Sequence, residues 1–125
     1  MILPPSKVLV LDDSEIVREL VRRVLEPLGV VVILVDSPFG FSNALNRERP
    51  DLALVDISMP ALRGDKLVEI AVRNRRPNGC RFILFSDRSE SELRTLAAGC
   101  GADGYLQKTS DAPALRKAVQ RLLGA

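Results

Sequence analysis

Four short apolar runs constrain this chain more than any other feature, because each ends in a residue able to handle phosphate or metal. They are KVLVLDD, ending in Asp12 and Asp13; LALVD, ending in Asp56; RFILFS, ending in Ser86; and GYLQK, ending in Lys108. Runs of this length bounded by polar breaks are expected as strands buried in a parallel sheet. In open α/β sheets, ligands bind outside the carboxyl ends of the strands. Three carboxylates, a hydroxyl and an amine would then collect on one rim, a set suited to phosphoryl chemistry with a divalent cation.

Between these runs the pattern turns helical. Ser14 is placed to cap a helix on which Ile16, Val17, Leu20, Val21, Val24, Leu25 and Leu28 recur at helical spacing, ended by Pro27 and Gly29. Val30 to Val35 reads as a further strand, Ser37 to Arg49 as a weaker helix, and Leu52 to Val55 as the strand after Pro50. Helices are expected over Gly64 to Arg75, Glu90 to Ala98 and Asp111 to Leu123, with strands over Cys80 to Phe85 and Gly104 to Gln107. Five βα units predict an α/β fold: a doubly wound, five-stranded parallel (βα)5 domain. A flavodoxin-like strand order of 2-1-3-4-5 would set the first and third strands side by side, bringing Asp12 and Asp13 next to Asp56.

Composition removes several function classes. The 125 residues suit one domain with an adequate core, at 46% apolar and 27% charged. A net charge of +2 supplies no strong field for nucleic acid or an anionic membrane, so neither is expected as a direct partner. The densest basic stretch, Arg73 to Arg81, reads as a solvated helix end and loop. With no histidine and two cysteines far apart, a zinc site, a Ser–His–Asp triad and a Cys–His pair are excluded. Cys80 and Cys100 suit a reducing compartment. The opening MILPPSK is too short for a signal peptide, and no apolar run approaches membrane-spanning length. A cytoplasmic domain is expected.

Clustered carboxylates repel one another unless a cation lies among them, and hard oxygen ligands suit Mg²⁺. One of the acids could then serve as a nucleophile toward phosphorus, with Ser86 and Lys108 as donors to the developing charge. Each residue also has a plainer role. The acidic pair and Ser86 can cap helices or turns, and Lys108 can be a solvated surface residue.

The segments VLVLDDSEIVRELV, LALVDISMPALRGDKL, FILFSD and AGCGADGYLQK resemble, in order and spacing, the receiver domain of two-component response regulators (CheY-like). The resemblance covers essentially all 125 residues, as one receiver domain with no output domain. It implies that Asp56 is the phospho-acceptor and that Asp12 and Asp13 hold Mg²⁺, with the backbone carbonyl of Ser58 completing the shell. It also implies that Ser86 is the switch hydroxyl, Lys108 the phosphoryl-pairing lysine and Tyr105 the aromatic switch. Met59, Pro60 and Gly64 match the loop after the acceptor. The implied function is a phosphorylation-controlled switch rather than a turnover enzyme. Its donor would be a sensor histidine kinase or phosphotransfer protein, and its target would meet the face made by the last two helices and the fifth strand.

Two positions depart from the pattern. Asp87 stands where a small residue is usual, and is expected to slow phosphorylation by small anionic donors. Thr109 replaces the proline whose bond is cis in relatives, so a trans Lys108–Thr109 bond with a somewhat relocated Lys108 is expected. Three alternatives stay open: a degenerate receiver acting as a phosphorylation-independent interaction module, a flavodoxin-like cofactor binder and a haloacid-dehalogenase-type phosphatase. The loop LDDSE would repel the phosphate of such a cofactor, and no Asp-x-Asp motif serves the phosphatase.

Overall fold

Strand β1 (Lys7–Leu11) is buried along nearly its whole length, and the chain turns at Asp12 into helix α1 (Glu15–Leu25). Ser14 makes that turn possible, its hydroxyl accepting the Val17 N–H at 3.3 Å as a side-chain cap. The computed structural model describes residues 4–74 and 79–124. Arg75 to Asn78, which include part of the basic stretch and, at Arg75, the expected last residue of the third helix, lie outside the described residues, as do Met1 to Leu3 and Ala125.

The remaining elements follow in strict alternation. They are β2 (Val31–Val35), α2 (Pro38–Glu48), β3 (Leu52–Val55), α3 (Gly64–Arg73), β4 (Arg81–Ser86), α4 (Glu90–Cys100), β5 (Gly104–Gln107) and α5 (Ala112–Gly124). A 3₁₀ turn, Glu26–Leu28, joins α1 to Gly29, which ends it at φ 74°. Helix α4 runs two residues past the expected Ala98 and stops at Gly101, whose φ of 81° breaks the helical path.

The five strands are parallel, in order β2-β1-β3-β4-β5, as the sequence predicts. Two apolar layers cover the sheet. One packs Leu9, Leu11, Val55 and Leu84 under residues of α2, α3 and α4, including Phe41, Val68 and Leu93. The other packs Val8, Val10, Leu54 and Phe85 under α1 and α5 through Val21, Leu25, Leu115 and Val119. This alternation explains why β1 and β3 read as unbroken apolar runs, since both of their faces are covered. On α1 the apolar stripe is only partly used. Val21, Val24 and Leu25 are buried, whereas Ile16 is 81% and Leu20 51% exposed.

No helix among the described residues is long and apolar enough to cross a membrane.

Candidate functional site

Register fixes the heart of the rim. Leu11 lies opposite Val55, and the Asp56 N–H donates to the Leu11 carbonyl at 2.9 Å, so Asp56 emerges beside Asp12. One ligand oxygen from each of Asp12, Asp13 and Asp56 lies within 4.8 Å of the others. Asp12 and Asp56 are buried and Asp13 is exposed, so the cluster has a dry floor and a wet mouth.

Lys108 closes the other side. Its N–H donates to the Ser86 carbonyl at 2.7 Å, carrying the β4–β5 pairing one step beyond the strands. From that anchor Nζ lies 2.8 Å from Asp12 Oδ2 and 3.3 Å from Asp56 Oδ1, and 5.6 Å from the centre of the Phe85 ring. The Lys108–Thr109 bond is trans, as expected without proline, and Lys108 still reaches both acids.

The loop after β3 folds back over Asp56. The Ser58 N–H donates to Asp56 Oδ1 at 3.3 Å, and the Gly64 N–H donates to the Ile57 carbonyl at 3.0 Å. Ser86 is buried as the last residue of β4, and its hydroxyl accepts the Arg88 N–H at 3.2 Å. Tyr105 stands apart from this group. Its ring is half-buried against the α4 side of the core, and its hydroxyl donates to Glu90 Oε1 at 3.1 Å. Asp87 is exposed, and Arg88 pairs with Glu92 at 2.7 Å.

Electrostatics distinguishes the members of the site. Burial pushes the Asp56 carboxyl up, Lys108 pulls against that, Asp12 adds to the rise, and the net direction is up. Burial also works against the Lys108 ammonium, but the Asp12 and Asp56 carboxylates outweigh it and its pKa is raised. Lys108 is therefore held charged, while Asp56 carries an unfavourable negative charge. Among the described residues, Asp12 Oδ2 is buried without a directed hydrogen bond, its contact with Lys108 being an ion pair out of hydrogen-bond alignment. Three carboxylates facing one ammonium leave excess negative charge, and their hard oxygens fit a small divalent cation.

One contributor escaped the sequence reading. Arg18 of α1 donates from Nη1 to the Asp12 carbonyl at 2.6 Å. On an amphipathic helix an arginine ordinarily reads as solvated, and only its place four residues after the Ser14 cap hints that it lies over the strand end. A separate cavity of about 250 Å³ between α2 and α3, lined by Phe41, Ile70 and Cys80 among others, takes no part in this site.

Fold and site together describe a CheY-like signalling module, and comparison with known proteins gives the same answer. Residues 8–120 match the response regulator receiver domain family, and the chain belongs to it. The chain is 29% identical over 118 residues to the transcriptional regulatory protein CseB of Streptomyces coelicolor, covering 94% of this chain and 49% of CseB. It is also 29% identical over 121 residues to the chemotaxis protein CheY of Halobacterium salinarum, covering 96% and 98%. It thus spans about half the length of CseB and nearly all of that CheY. In fold it is similar to the chemotaxis protein CheY4 of Vibrio cholerae, with a TM-score of 0.86 at 24% identity over 96% of this chain and 100% of that one. A response regulator from Thermotoga maritima gives 0.83 at 24% identity, covering 98% and 100%. Receiver domains of two-component systems are signalling switches rather than turnover enzymes, and the family typically binds Mg²⁺ at an acidic pocket.

Proposed function

We propose that Asp56 accepts a phosphoryl group from the phosphohistidine of a sensor kinase or phosphotransfer protein, and that the phosphorylated domain signals to a downstream protein. The observation that carries this reading is the convergence of Asp12, Asp13 and Asp56 within 4.8 Å, with Lys108 contacting Asp12 and Asp56. An Asp56 carboxylate oxygen attacks phosphorus, the P–N bond breaks, and the imidazole leaves with a proton taken from solvent. Lys108 pairs with the phosphoryl oxygens as charge develops, and the Ser86 hydroxyl donates to them.

Asp12, Asp13 and Asp56, with the Ser58 backbone carbonyl, would hold Mg²⁺. When bound, the ion neutralises the acids and the incoming phosphoryl oxygens. The donor approaches over α1, where Ile16 and Leu20 are exposed and Leu20 lines an apolar cavity of about 290 Å³ reaching Lys108 and Phe85. Ser86 and Tyr105 act as the switch. Drawing the Ser86 hydroxyl to the phosphoryl group costs its Arg88 contact, and turning Tyr105 inward costs its bond to Glu90, so both alter the α4–β5–α5 face.

Incubating wild type and Asp56→Asn with Mg²⁺ and a phosphodonor, read by intact mass, tests the reading. A base-labile adduct on wild type alone is expected. If no donor, kinase included, phosphorylates wild type, the alternative of a phosphorylation-independent interaction module takes its place. The exposed Asp87 is the feature that favours that alternative.

A further inference from the structure

The chemistry proposed above leaves one neighbouring cation without a role. Side chains on a helix lean toward its N-terminus, so Arg18, four residues after the Ser14 cap, lies back over the β1–α1 junction. There its guanidinium bonds a neutral group, the main-chain carbonyl of Asp12, at 2.6 Å.

That carbonyl belongs to the peptide unit joining Asp12 to Asp13, so its orientation governs where both side chains start. The rest of Asp12 is also held. Its N–H donates to the Val35 carbonyl at 3.1 Å, and Oδ1 accepts the Ser14 N–H at 2.9 Å. With the carbonyl taken by Arg18, only Oδ2 lacks a directed hydrogen bond among the described residues, and it faces Lys108 across the site. An acid fixed at three of its four polar atoms presents the fourth in one direction.

We propose that Arg18 is a positioning residue for the acidic pair, clamping the Asp12–Asp13 peptide so that Asp12 Oδ2 and the Asp13 carboxylate face a common cation. This rests on the reading of those acids as a Mg²⁺ site. Coulombic effects alone give the opposite expectation: deleting a positive charge near the acids should tighten a divalent cation. The sign of the change therefore separates positioning from charge.

The test is calorimetric titration of Mg²⁺ into wild type, Arg18→Lys and Arg18→Met, with a metal-free melt of each to establish folding. Methionine keeps much of the aliphatic stem and removes every donor, while lysine restores one donor and the charge. Arg18→Met is expected to bind Mg²⁺ about 10-fold more weakly, the lower end for losing support behind a metal ligand. Arg18→Lys should fall between it and wild type. A folded Arg18→Met that binds Mg²⁺ as tightly as wild type, or more tightly, overturns the proposal. Should Arg18→Met not fold, Arg18→Lys decides: weaker binding supports the clamp, and equal or tighter binding overturns it. If wild type itself binds no Mg²⁺, the metal reading fails and takes this inference with it, a result distinct from an effect confined to the variants.

Discussion

A Cβ on Gly64 would stand 1.8 Å from the main-chain carbonyl oxygen of Asp56 and 2.7 Å from its carbonyl carbon. The loop after β3 thus closes on the backbone of the proposed acceptor with no room for any side chain. Gly64→Ala must push one of two backbone segments aside, and should cost at least about 2 kcal/mol in urea denaturation. Gly99, inside α4, would meet nothing within 4 Å. Gly99→Ala should instead stabilise by about 0.5–1 kcal/mol, chiefly by restricting the unfolded chain. Similar values for the two variants would contradict the packing described for the loop.

Asp56 makes stability fall as pH rises. Its carboxyl is pushed up by burial, against the pull of Lys108 and with the help of Asp12, so the folded state holds that proton more tightly than the unfolded one. Between the two pKa values the native state binds more protons, and unfolding free energy declines with pH across that window. Asp56→Asn lacks the penalty. In metal-free buffer its Tm should exceed that of wild type at neutral pH, with the gap closing as pH falls below the ordinary carboxylate range. A gap that stays constant from acid to neutral pH would refute this assignment.

Lys108 offsets two buried acids, so its removal should be felt without any phosphoryl chemistry. Breaking a fully buried pair costs roughly 3–5 kcal/mol. The Lys108 side chain is 23% exposed, so about 1–3 kcal/mol is expected for Lys108→Ala. Added Mg²⁺ should narrow the deficit by supplying the missing positive charge. Thermal melts with and without the ion decide the matter, and a deficit that widens with Mg²⁺ counts against Lys108 facing the same acids as the metal.

Asp87 is exposed just past Ser86, Arg88 is engaged by Glu92, and among the described residues Asp87 takes part in no ion pair. Small anionic donors should therefore be repelled at the mouth of the site. Asp87→Ala is expected to raise the rate of labelling by acetyl phosphate roughly 3–10-fold at low salt, with the gain shrinking at high salt as the charges are screened. An unchanged rate at low salt would remove Asp87 from the account.

Much of this site is written in the strand ends. Once a five-stranded parallel sheet in order 2-1-3-4-5 is inferred, Asp12, Asp13, Asp56 and Lys108 must meet, because each directly follows a strand or lies one step beyond it. What the sequence hides is set by side-chain direction and tertiary choice. Ile16 and Leu20 carry helical spacing yet face outward, since α1 packs through Val21, Val24 and Leu25. The Tyr105 hydroxyl turns to Glu90, and Arg18 turns back to a carbonyl rather than to solvent. Helix α4, expected to end at Ala98, continues through Gly99, and Gly101, at φ 81°, is the residue that ends it.

The central claim is that Asp56 carries the phosphoryl group, and chemical trapping tests it most directly. Wild-type protein is phosphorylated in Mg²⁺ and treated with borohydride, which reduces an acyl phosphate to the alcohol and so converts the modified aspartate to homoserine. Peptide sequencing by mass spectrometry then locates that residue. Homoserine at position 56 alone, lost when Mg²⁺ is chelated before the donor is added, is the predicted result. Homoserine at position 12 or 13, or none in protein that has demonstrably gained phosphate, would contradict it.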